Sequence, residues 1–70
     1  MNTYRISDIE ITRQIRANNK IVEVKIFRAY ELNEEKNAYV YVGHFVADVD
    51  VEDDKLWEVA DTEIKGRHYE

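Results

Sequence analysis

The chain is expected to fold as one β-rich α+β domain spanning residues 1–70, a three-stranded antiparallel meander with a short C-terminal helix. Three observations predict this. Residues 21–32 and 38–51 are dense in β-branched and aromatic side chains, and the residues before Asn18 alternate well enough to make a first strand. Asparagine-bearing breaks at Asn18-Asn19 and at Asn33 to Asn37 separate these stretches. Helical spacing behind an acidic start then follows Val51.

The first segment offers two readings. Ser7-Asp8-Ile9-Glu10 is a capping box, and Ile6 with Ile11 would form the matching hydrophobic staple of a helix. The hairpin explains more residues. With Asn18-Asn19 as a two-residue turn, Ile15 faces Val22, Arg13 faces Val24 and Ile11 faces Ile26. Ile9, Ile11, Ile15, Val22, Val24 and Ile26 then share one side, whereas a helix would turn Ile9 away from Ile11. The hairpin is therefore expected.

A second hairpin turns through Asn33-Glu34-Glu35-Lys36-Asn37. Its outgoing strand is apolar on both sides: Tyr39, Tyr41, Phe45, Ala47 and Val49 alternate with Val40, Val42 and Val46. Only one side can meet the first hairpin, and a one-residue change in pairing would exchange them, so the buried side stays open. Either choice leaves a surplus apolar or aromatic surface that something should cover.

Residues 52–65 supply a cover. Glu52-Asp53-Asp54 suit a helix N-terminus, Leu56, Val59, Ala60 and Ile64 recur at helical spacing, and Lys65-Gly66-Arg67 offers a base and a C-cap. Trp57, Val59 and Thr62 also suit a strand, so an all-β fold with a fourth strand is the alternative.

Seventy residues bury a thin core, and no cysteine or thiolate zinc site staples it. Seven basic and six acidic side chains occupy residues 1–47, whereas residues 48–70 hold three basic and nine acidic. The net charge of −5 thus belongs to the last third. No apolar run reaches the length of a signal peptide or a membrane span, so a cytoplasmic location without membrane contact is expected.

No constellation of catalytic type emerges. Asp48, Asp50, Glu52, Asp53 and Asp54 alternate like the first ligands of a calcium loop, but Asp53 stands where that loop needs glycine and Val59 where it needs glutamate. No metal is expected. Two isolated glycines cannot build a phosphate loop, so no nucleotide cofactor is expected either. His44 and His68 are far apart in sequence, and Ser7 is the single serine, with no nucleophile elbow around it. His44 reads as a structural or exposed residue.

These features lead to a small non-enzymatic protein-binding or regulatory module, with a second copy of the chain among its possible partners. Its contact residues are expected among Tyr39, Tyr41 and Phe45 and in the acidic set Asp48, Asp50, Glu52, Asp53 and Asp54. A sharper version has that acidic set compete for a basic groove, as small viral or mobile-element inhibitors of nucleic-acid enzymes do. The rival reading is single-stranded nucleic-acid binding, with Phe27, Tyr39, Tyr41 and Phe45 as stacking residues beside Arg13, Lys25 and Arg28. The acids interleaved with those bases make that partner the less expected one.

Overall fold

A computed structural model describes residues 3–67 and shows an antiparallel sheet of three strands in the order of the chain, with a helix at the C-terminal end. Strand β1 is Tyr4–Ile15, β2 is Ile21–Asn33 and β3 is Ala38–Asp48. A single 3-10 turn, Asp53–Lys55, leads into α1, Leu56–Arg67. Residues 56–65 are helical, so the fourth strand does not form. His68 lies outside the described residues.

The turn between β1 and β2 differs from the expected one. Arg16 N–H bonds to Lys20 O at 2.9 Å and Asn19 N–H to Arg16 O at 2.9 Å, with Asn19 at φ 63°. This is a three-residue loop closed by a left-handed residue, not a two-residue turn. The pairing shifts by one: Ile15 meets Ile21, Arg13 meets Glu23 and Ile11 meets Lys25. A one-residue slip exchanges faces, so Ile11 and Ile15 stand on the opposite side from Val22, Val24 and Ile26.

Two bulges then break the alternation of the outer strands. In β1 the register shifts between Ser7 and Glu10, which pair with Arg28 and Ile26 and leave Asp8 and Ile9 opposite Phe27. Asp8 sits at φ 54° there. The Ser7-Asp8 pair that resembles a helix cap is the site of a β-bulge, a use that a residue tolerant of the left-handed region permits. In β3, Gly43 faces Ala29 and Tyr41 faces Tyr30, so Val42 is the extra residue, and Gly43 takes φ 144°. The bulge sends Tyr39 and Tyr41 to one face and Phe45 and Ala47 to the other, although all four have odd numbers.

The helix covers the face that carries Phe27, Ala29, Phe45 and Ala47, and closes a core with Leu56 and Ala60. Ile6, Val42, Val51, Val59 and Ile64 pack around it. Phe27 and Phe45 are directly opposed in the ladder, with ring centroids 6.0 Å apart. The helical spacing of Leu56, Val59, Ala60 and Ile64 is thus used as expected, but α1 runs on through Gly66 instead of ending there. Two polar ties fix its position. Lys25 Nζ donates to Val51 O at 2.6 Å and Asp53 Oδ1 at 2.9 Å, and Tyr4 Oη donates to Asp61 Oδ1 at 2.9 Å.

Strand β3 pairs with β2 only as far as Asp48 opposite Val24. Beyond that row Arg13–Ile15 and Ile21–Glu23 continue as a two-stranded arm, part of a molecule 45 Å in its longest dimension. Arg16 Nη2 reaches Asp48 Oδ1 at 3.4 Å, so the arm bends over the end of β2 toward β3. Val24 beneath it is 1% exposed although it faces away from the helix. Ile15 and Ile21 of the arm, and Ile11 just before it, point the other way and are 71%, 65% and 58% exposed.

Candidate functional site

The sheet face opposite the helix is uncovered toward the loop between β2 and β3, and there the tyrosines gather. Tyr41 stands across from Tyr30 with ring centroids 5.5 Å apart, and Tyr39 stands across from Leu32. The Arg5 guanidinium lies 4.4 Å from the Tyr39 ring centroid, within the range of a cation–π contact. Arg5 comes from β1, Tyr30 from β2 and the two outer tyrosines from β3, so all three strands contribute. Tyr39 and Tyr41 remain exposed, and Tyr30 is half-buried beside Tyr41.

Next along this face is an open hollow of about 350 Å³, lined by Asp8, Glu10, Ile26, Arg28, Tyr41 and His44 among others. The β1 bulge builds its rim, because the turned backbone at Asp8 brings its carboxylate to Arg28, with Nη1 to Oδ2 at 3.4 Å. Ser7 Oγ also contacts that carboxylate, at 3.3 Å, so Ser7 is engaged by an acid and not by His44. His44 is exposed and pairs across the ladder with Arg28.

The residues expected to form one contact surface are divided into three places. Tyr39 and Tyr41 lie together on the open face. Phe45, expected beside them, is instead 4% exposed and belongs to the core, because the Val42-Gly43 bulge reverses the strand between Tyr41 and Phe45. The acids occupy the end of β3 and the turn into α1. By strand rise alone, nine residues separate Asp48 from Tyr39 by about 30 Å. Asp48 is paired with Arg16 and Asp53 with Lys25, whereas Asp50, Glu52 and Asp54 project into solvent.

The basic and aromatic platform is dispersed in the same way. Arg28 joins Tyr39 and Tyr41 on the open face, but Phe27 and Phe45 are buried, Lys25 is bound under the turn before α1, and Arg13 lies on the isoleucine face of the arm. Two contributors to the tyrosine surface, Arg5 and Tyr30, escaped the sequence reading. Strand pairing is the signal that finds them, since each stands in register with a residue of that face. Among the described residues no group of three or more histidine or carboxylate side chains is placed to hold a metal, and no helix is long and apolar enough to cross a membrane. Comparisons with protein-family models, curated proteins and solved structures find no match to the chain.

Proposed function

We propose that the chain is a small, non-enzymatic protein-binding module whose contact surface is the tyrosine face: Tyr39 and Tyr41, backed by Tyr30 and flanked by Arg5. The observation that supports it is the arrangement of those four side chains on a sheet face that the helix leaves open. Tyrosine and arginine are enriched among the residues that dominate contact energy at protein interfaces, and tyrosine brings its large area with only two torsions to freeze. Here neighbours already hold them, which lowers the entropic cost of binding further. The unpaired acids Asp50, Glu52 and Asp54 favour a partner with a basic groove by steering its approach, as an inhibitor of a nucleic-acid enzyme would require.

The test is capture from host lysate, after nuclease treatment, by the parent chain and by two variants. Tyr39→Ala with Tyr41→Ala should abolish recovery of a specific protein. Asp50→Asn with Glu52→Gln and Asp54→Asn should weaken it mainly at low salt. Recovery that survives the tyrosine pair would refute this surface. Binding of the parent chain to a labelled oligothymidylate, steeply weakened by salt and lost with Tyr41→Ala, would establish the nucleic-acid reading in its place, which Arg5 and Arg28 beside the tyrosines favour.

A further inference from the structure

The free edge of β1 is a self-complementary strand, and we infer that a second copy of this chain pairs with it, antiparallel, about a two-fold axis at Thr12. The inference concerns a different surface from the tyrosine face and does not depend on it.

The hydrogen-bond phase of the hairpin fixes which backbone groups are free. Arg16 N–H bonds to Lys20 O, and the antiparallel ladder alternates from that pair. Gln14 and Thr12 therefore spend their N–H and C=O groups on Val22 and Val24, their register partners. The corresponding groups of Ile11, Arg13 and Ile15 point away from β2, along an edge with no strand beside it among the described residues. The edge carries no proline, its bulge begins only at Asp8 and Ile9, and its two charged side chains between Ile9 and Ile15, Glu10 and Arg13, are of opposite sign. The other edge, in β3, is interrupted by its bulge at Val42-Gly43.

The same phase limits the register. Outward groups must meet outward groups, so odd-numbered residues of one copy face odd-numbered residues of the other. Centring the axis on Arg13 places two arginines directly opposed, and centring it on Glu10 opposes two glutamates; both are unfavourable. Centring it on Ile11 carries Ile15 past the bulge to Ser7. The axis at Thr12 opposes Thr12 with Thr12, Glu10 with Gln14, Ile11 with Arg13 and Ile9 with Ile15. Every pair is then apolar, polar or a hydrocarbon stem along isoleucine. Arg13 keeps Glu23 as its own cross-strand neighbour. Isologous pairing by a two-fold axis requires this kind of self-complementarity.

Association also supplies what the arm lacks. A two-stranded ribbon is marginal in water, and three or more strands with an apolar face are needed for stability. Pairing lays each arm against residues 9–11 of the other copy's β1, and so extends that copy's three-stranded sheet, with Ile9, Ile11, Arg13 and Ile15 of each copy on one face. In the single chain these side chains are exposed.

The chain has no cysteine, so one introduced thiol reports the register cleanly. Thr12 would oppose its counterpart in a non-hydrogen-bonded pair, whose Cα separation of about 4.5 Å lies within disulfide reach. Light scattering of the parent chain should give a mass that rises from one chain to two between micromolar and millimolar concentration. Thr12→Cys should oxidise to a covalent dimer at least tenfold faster than Ile11→Cys or Arg13→Cys. Adding Ile11→Lys, which sets an ammonium against the opposing Arg13, should slow that oxidation at least tenfold while circular dichroism shows the fold retained. A monomer at every concentration would overturn the inference. So would faster oxidation at Ile11→Cys or Arg13→Cys, which marks another register, or a dimer indifferent to Ile11→Lys, which marks another surface.

Discussion

Tyr4 ties the first strand to the helix through Asp61, and the two groups shift each other's titration. Burial first, then the bond to Asp61, pushes the Tyr4 phenol far above its ordinary value. Lys65 first, then Tyr4, holds the Asp61 carboxyl below its ordinary value. The neutral phenol is favoured by folding, so its contribution is complete below the ordinary tyrosine pKa of about 10 and is lost as pH rises beyond it. The carboxylate works in the opposite sense: its contribution is present above about pH 4 and is lost on acidification. Tyr4→Phe should lower stability at neutral pH by about 1 kcal/mol, the net worth of one hydrogen bond. It should also flatten the alkaline fall. Urea unfolding at neutral and alkaline pH measures both, and an unchanged alkaline limb would show that the phenol is not the group responsible.

At the scale of elements, the bulges determine which side chains face the helix. Gly43 is the clearest case, because at φ 144° an L-residue is strained, whereas a Cβ there would find its nearest atoms 3.8 Å away on the Phe45 ring. The cost of substitution is thus backbone strain and not collision. Gly43→Ala should destabilise by about 2 kcal/mol, read as a lower urea midpoint; an unchanged midpoint would mean that the bulge has another geometry. The strands, their order and the helix were legible from composition and punctuation, since Asn33 to Asn37 and the spacing of Leu56, Val59, Ala60 and Ile64 carry direct signals. Register was not. Asn18-Asn19 suits a two-residue and a three-residue turn equally, and one residue of difference inverts a face. Neither bulge is announced by alternation, which is why Tyr41 and Phe45 read as neighbours on one face and stand on two. The tyrosine half of the candidate surface was therefore visible in sequence, while Arg5 and Tyr30 needed the ladder to join it.

At the scale of the whole molecule, stability rests on few side chains. Phe27, Leu56 and Val24 are the largest that are fully buried, and Leu56 is the one through which the helix enters the core. Leu56→Ala should cost about 3 kcal/mol, a large share of what a domain this small can hold. A sharply lowered or lost thermal transition is expected, and a transition within a few degrees of the parent's would show that the helix contributes little to the core.

The arm lies outside that core, and its geometry repeats every two residues on each strand. Adding or removing one two-residue step on both strands would lengthen or shorten its reach and leave Phe27, Phe45 and Leu56 where they are. A change of a single residue in one strand would instead turn the isoleucine row over to the opposite side. Insertions and deletions in this hairpin are consequently tolerated by parity, so related chains should differ in arm length in multiples of four residues, with the rest of the fold unaltered.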